Sequence, residues 1–469
     1  MKKKFNLDQK KAVTFANGPC LVVSGPGSGK TYVLTNRILY LIAKYKVDPQ
    51  NILVITFTRA SACEMKKRFE ALLLEYGIEI SNKPHFGTFH SIFYEILRND
   101  FGYTKDSLIT KEESIEYVRK VLTQNVGIGF DNNKLNKILI DINAYKLAKD
   151  REESYIPDSI DKKTFEKVYE VYAKELYNNR KLDFFDMIYK CSSLLSSDKN
   201  KLVKYQNLFK YILIDEFQDI NRSQYSLIKM ICKTRNVFVV GDDDQSIYSF
   251  RGSKPDVMKS FLCDYSDASI IHLDINYRSK KNIVTFSKRL INVNKKRIYK
   301  DLKSNDIEDG QIVIKKFNDS RDEDYYIVKE IERYKSLGMP YSEMAILYRT
   351  NLLSHSIVRD FKNRSIPYKI KDELDIHGDK DISEKEEKVS LMTFHLSKGL
   401  EYKIVFIIDA NDGIMPHKKS IRSFDVESER RLFYVAMTRA KVSLHILFTI
   451  RRFGKNYKAS RFIFEAIGG

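Results

Sequence analysis

Eight short apolar runs punctuate the chain, each bounded by Gly, Asp, Asn or Ser: CLVVSG, NILVITFT, YILIDE and NVFVVGD, then MAILYRT, VSLMTFH, KIVFIID and SLHILFTI. Runs apolar on both faces predict central strands of parallel sheets covered by helices. Two sets of them predict two α/β sheets. Between Ser91 and Lys210 the strand signal gives way to helical spacing, as in Phe165, Val168, Tyr169, Tyr172 and Leu176 at i, i+3, i+4, i+7 and i+11. This block reads as a helical insertion in the first sheet domain, and its aromatic stripe reads as core.

Length and composition narrow the class. A chain of 469 residues with 43% apolar and 30% charged residues is expected to fold as two or three domains. Its formal charge of +19 suits a polyanionic partner such as nucleic acid, although a genome rich in Lys codons accounts for the excess equally. The start MKKKFNLDQKKAV turns polar where a secretory signal needs an apolar run, and no stretch reaches the ~18 residues of a membrane span. A cytoplasmic protein is expected. Five scattered cysteines without a Cys-x-x-Cys pair read as reduced core thiols.

Three strand ends carry candidate chemistry. In CLVVSGPGSGKT, residues 20 to 31, the backbone of Gly25, Gly27, Ser28 and Gly29 is suited to wrap phosphates at a helix N-terminus. Lys30 would reach the β and γ phosphates, and the Thr31 hydroxyl would ligate Mg²⁺. Ser24 stands where the strict pattern has its first Gly, but the flanking strand and helix fall where the motif requires them. In YILIDEFQD, Asp215 is suited to hold Mg²⁺ and Glu216 to activate water, the division of labour that phosphoryl transfer needs. In VVGDDDQSIYSFRGS, Gln245 is a candidate γ-phosphate sensor, while Tyr248, Phe250 and Arg251 combine ring faces and a guanidinium that suit single-stranded nucleic acid.

Taken in order, these segments resemble the superfamily 1A helicases of the UvrD, PcrA and Rep type. FNLDQKKAV resembles the Q motif, ITFTRASACEM motif Ia and GTFHS the Thr-Phe-His-Ser motif. LDFFDMI, LIDEFQDIN and GDDDQSIYSFRGS follow, then LDINYRS, LMTFHLSKGLEY, ERRLFYVAMTRA and SRFIFEAI. The resemblance implies an α/β fold of two RecA-like parallel-sheet domains, the P-loop NTPase fold, with a helical insertion in the first. It also implies a DNA-stimulated, ATP- and Mg²⁺-dependent ATPase that moves 3′ to 5′ along single-stranded DNA or into a 3′-tailed duplex. By this resemblance Gln9 reads adenine, Tyr277 stacks on it, Glu401 accepts a ribose hydroxyl, and Arg278 and Arg439 act as arginine fingers. Phe57, His90, Tyr248, Phe250, Arg251 and His395 would line the DNA track. Two departures stand out: Arg59 and Ala60 replace the usual Asn-Lys of motif Ia, and Phe250 replaces a usual Trp.

The implied division is domain 1A at residues 1–91 and 200–270, helical subdomain 1B at 92–199, and domain 2A at 271–469. The terminal match SRFIFEAI leads us to expect a complete protein. In place of the family's subdomain 2B stands KDELDIHGDKDISEKEEK, residues 371–388, with eight acids against four Lys. It reads as a solvated connector, and His377 within it as a loop residue rather than a ligand. Its shortness leaves two expectations: a minimal helicase, or a translocating or DNA-sensing subunit that needs a partner such as a nuclease, in repair or phage defence, to open duplex.

Overall fold

The computed structural model describes residues 4–126, 131–150, 152–248, 256–351, 355–371, 386–422 and 425–468. The first sheet comprises β1 (Cys20–Ser24), β2 (Ile52–Thr56), β3 (His85–Thr88), β4 (Tyr211–Ile214), β5 (Val237–Gly241) and β6 (Ser269–Leu273). All are parallel, in the order β3-β2-β4-β5-β1-β6. Alternate residues serve opposite faces, as strand pleating requires. Cys20 and Val22 pack with Val33, Ile38 and Met65 of the helices Lys30–Ala43 and Arg59–Tyr76, whereas Leu21 and Val23 pack with Phe93, Ile188 and Ile228 on the other side.

The insertion has its own core. Helices Lys111–Val126, Asn132–Asp150 and Lys162–Asn178 bury Val118, Leu135, Ile142 and, from the predicted stripe, Phe165, Val168, Tyr172 and Leu176. The flanking helices Phe89–Phe101 and Phe184–Ser197 belong instead to the sheet core, so the independent part of the insertion is narrower than residues 92–199. At the other boundary, β6 straddles residue 270, because Ile271 and Leu273 complete one apolar face of the first sheet.

A second six-stranded sheet is also wholly parallel. Its order is Tyr368–Ile370, Val389–Thr393, Met344–Tyr348, Tyr402–Ile407, Ala440–Thr449, Gln311–Phe317. The eight apolar runs are the interior strands of the two sheets. The four additional strands are the edges, β3 and β6 in one, Gln311–Phe317 and Tyr368–Ile370 in the other. Half-exposed edges need no two-sided apolar run, and Gln311–Phe317 accordingly carries Gln311, Lys315 and Lys316.

The acidic residues 372–385 lie outside the described residues, His377 among them. Their flanks are anchored: Tyr368–Ile370 pairs directly with Val389–Thr393, Glu387 meets Lys335 at 2.7 Å, and Glu386 lies between Lys369 and Lys388.

Candidate functional site

The carboxyl ends of β1, β4 and β5 converge on one cleft, and the second sheet domain closes it. After β1 the chain turns through Gly27 and Gly29, whose φ values of +67° and +85° lie in the left-handed region, into the helix from Lys30. Gly29 provides no side-chain cap, so the helix N-terminus fits an anion. Ser28 is buried and donates from its hydroxyl to the Gly25 carbonyl at 2.9 Å. Gln9, oriented by a capping box with Asn6, donates from Nε2 to the Ser28 carbonyl at 3.1 Å. Asn6 also donates from Nδ2 to the Tyr277 hydroxyl at 2.9 Å, which brings Gln9 and Tyr277 to the same side of the loop. Tyr277, Arg278, Asn305 and Asp306 line a cavity of about 360 Å³ there.

The two carboxylates after β4 differ in environment. Glu216, itself at a left-handed φ of +51°, meets Lys30 Nζ at 3.1 Å. Burial pushes its carboxyl up, but Lys30 and Lys398 outweigh burial and hold it at about 2, so it stays ionised. Asp215 moves the other way, up to about 7, through burial and the charge of Glu216. A buried carboxyl whose neighbouring lysines do not outweigh its burial fits a further cation, and Thr31 stands in the first turn of the helix, next to Lys30. Asp242–Asp244 is the sole three-acid group among the described residues close enough to share an ion, and it does not fit one, because Lys300 Nζ already occupies its centre.

The second domain contributes the remaining cations. Arg278 Nε donates to Glu401 Oε2 at 2.7 Å, while Lys441 meets the other carboxylate oxygen at 2.6 Å. Burial raises the Glu401 carboxyl, but these two cations hold it at about 2. Arg439 is fully buried, and its Nη2 donates to Gln245 Oε1 at 3.2 Å. Burial and the neighbouring Arg278 lower its guanidinium to about 9, which leaves it charged at neutral pH. The domains also touch at the Gly-rich loop: Tyr277 N–H donates to the Gly27 carbonyl at 2.8 Å and Asn276 Nδ2 to the Pro26 carbonyl at 2.7 Å.

Of the residues expected on the DNA track, Phe57 and Tyr248 stack on each other, with centroids 4.9 Å apart and planes 15° from parallel. The Tyr248 hydroxyl donates to the His395 carbonyl at 3.5 Å, so these three come together between the domains. His90 stands edge-on to the exposed Phe184 at 5.5 Å, and burial lowers its imidazole below the usual range. Phe250 and Arg251 lie outside the described residues.

Several residues of the cleft carried no role in the sequence reading. Lys398 reaches from the second domain to the Asp219 carboxylate, to the Gln245 carbonyl at 2.8 Å and to Glu216 at 3.9 Å. Gln218 accepts from the Asp242 N–H at 2.8 Å and donates to Glu216 at 2.5 Å. Both sit inside the quoted motifs, but their partners lie 2 to 182 positions away, beyond the reach of local spacing.

Comparison with known proteins agrees with this geometry. The model of the UvrD/REP helicase N-terminal domain matches residues 5–266, and that of the UvrD-like helicase C-terminal domain matches 271–384 and 374–451. The chain is 38% identical over 381 residues to the ATP-dependent DNA helicase PcrA of Staphylococcus epidermidis, an alignment covering 78% of this chain and 50% of that protein. It is 35% identical over 378 residues to the ATP-dependent DNA helicase PcrA of Staphylococcus aureus, covering 77% and 50%. The chain thus spans about half the length of the curated relatives it matches.

Proposed function

The chain belongs to the UvrD-like helicase family, and from that premise we propose that it hydrolyses ATP in the cleft between its two RecA-like domains and uses the cycle to move 3′ to 5′ along single-stranded DNA. The observation that carries this reading is that the cleft is built from both domains. Lys30, Glu216 and Gln245 come from the first, and Arg278, Lys398, Glu401 and Arg439 from the second, with Arg439 touching Gln245 directly. The 3′ to 5′ direction rests on the family resemblance alone, whereas the names of the relatives, both ATP-dependent DNA helicases, support ATP use on DNA.

In this mechanism Gln9 and Tyr277 hold the base and Glu401 the ribose, while the backbone of Gly25 to Gly29 and Lys30 hold the phosphates. Thr31 and Asp215 would hold Mg²⁺, which would neutralise phosphate charge. Glu216, ionised at neutral pH, orients the attacking water and accepts its proton. Arg278 and Arg439 stabilise charge on the transferring phosphoryl group, and they are in place only while the domains are closed. Closure therefore depends on the γ phosphate. Phe57, Tyr248 and His395 line the same interdomain cleft, so opening and closing changes how they grip successive bases.

The 19-position interval between Ile370 and Val389 favours a second reading for duplex opening, in which the chain translocates alone but unwinds only with a partner. One set of measurements tests both. ATP turnover with and without an oligonucleotide, beside Lys30→Ala and Glu216→Gln, is expected to rise with DNA and to vanish in both variants; turnover indifferent to DNA refutes the proposal. Strand release from a 3′-tailed duplex separates autonomous unwinding from translocation alone.

A further inference from the structure

The segment Arg297–Leu302 belongs by sequence to the second domain but is docked on the first. Lys300 is 3% exposed, and its Nζ lies 2.5 Å from Asp242 Oδ1, 2.5 Å from Asp243 Oδ1 and 2.8 Å from Asp244 Oδ2. Arg297 grips Asp244 through two bonds, from Nε at 2.9 Å and from Nη2 at 2.6 Å, and the Ile298 N–H donates to Asp243 Oδ2 at 2.6 Å. Leu302 closes the segment against Gly25, where an added Cβ would meet Leu302 Cδ1 at 2.3 Å. Three adjacent carboxylates at 0 to 2% side-chain exposure would repel one another strongly without these two cations.

Only one of the three carboxylates reaches the reaction site. Asp242 Oδ2 accepts from Gln245 Nε2 at 2.6 Å, and Gln245 Oε1 accepts from Arg439 Nη2 at 3.2 Å. A primary amide can flip, exchanging its donor and acceptor ends. An ionised Asp242 accepts hydrogen bonds only, so it selects the amide orientation that turns the carbonyl oxygen towards Arg439. Asp242 is wholly buried, and Lys300 is bonded to its other oxygen, which compensates the buried carboxylate.

We propose that Lys300 is a positioning residue for ATP hydrolysis, acting through Asp242 to fix the amide of Gln245 against Arg439 when the two domains close. This rests on the ATPase reading above. Lys300 touches no substrate, and its effect should fall on turnover rather than on nucleotide capture, which belongs to Lys30, Gln9 and Tyr277.

The test uses the full chain with kcat and KM for ATP measured separately in saturating oligonucleotide, beside thermal unfolding. Lys300→Gln is expected to lower kcat about ten- to a hundredfold with KM changed less than about threefold, the scale of a misplaced catalytic group. Lys300→Arg, which restores the charge, is expected to recover most of kcat. Asp243→Asn disturbs the same cage without touching Gln245, and it is expected to lower the unfolding temperature as much as Lys300→Gln while leaving kcat near that of the unaltered chain. If Lys300→Gln and Asp243→Asn lose kcat equally, or if Lys300→Gln raises KM alone, the relay is overturned and the cage is structural. Absence of turnover in the unaltered chain would overturn the ATPase reading and this role together, whereas normal turnover in Lys300→Gln would overturn this role only.

Discussion

Replacing Lys398 with Met tests how firmly the two domains are coupled at the reaction site. Lys398 is 7% exposed, lies 3.9 Å from Glu216 and 2.8 Å from the Gln245 carbonyl, and is bonded to Asp219, whose side chain is wholly buried. At an effective dielectric of about 20, unit charges 3.9 Å apart attract by about 4 kcal/mol, and removing one partner of a buried pair costs about 3–5 kcal/mol. Part of that loss is relieved, because burial already pushes Asp219 up to about 6 with Lys398 present, and the orphaned carboxyl would take up a proton. A net loss of about 3 kcal/mol should remain, equivalent to roughly 150-fold in the equilibrium between closed and open domains. Native-state hydrogen exchange reads this locally: amides of Asp242 to Tyr248 should lose about a hundredfold protection while those of β1 and β2 hold theirs. Pairing Lys398→Met with Asp219→Asn should recover about 2 kcal/mol of coupling, since no buried carboxylate is then orphaned. Additivity of the two substitutions within ~0.5 kcal/mol, or equal loss of protection across the first sheet, would refute the coupling.

Three further outcomes are expected. Gly27→Ala combines a left-handed φ with a Cβ only 2.6 Å from Arg278 Cβ, so it should weaken ATP binding at least about tenfold and separate the domains, which a nucleotide titration and small-angle scattering would detect. Buried Asp324 is pushed up to about 7, by desolvation above all, and Asp409 to about 6, by desolvation against the pull of Arg452. Both bind a proton more tightly folded than unfolded, so their contribution falls as pH rises from about 4 to about 7, by as much as about 4 kcal/mol for Asp324; unfolding temperatures across that window should decline, and less so in Asp324→Asn. Replacing residues 374–385 by a Gly/Ser linker keeps the anchors at Glu386 and Glu387 and should leave DNA-stimulated turnover within about twofold, whereas its collapse would show that the acidic connector acts in the cycle.

How much of this was legible beforehand follows from where each residue sits. Interior strands of a parallel sheet are buried on both faces, so β1, β2, β4 and β5 had to be apolar throughout and announced themselves. The edges did not: β6 begins with exposed Ser269 and Ile270, and Gln311–Phe317 faces solvent over much of its length. The placement of Lys30, Glu216 and Gln245 at the cleft was readable because each follows a strand by a few residues, which ties position to local spacing. Lys300 shows the limit. It stands in KKRIYKDLK, which by pattern is a solvated basic run, yet it is buried in a cage of carboxylates 56 to 58 positions earlier. Strand periodicity and strand-end motifs are local properties, and the sequence by itself determined them. Which cation meets which carboxylate across the cleft was decided only when two sheets docked, because a charge has no periodicity and its partner is chosen by proximity in space.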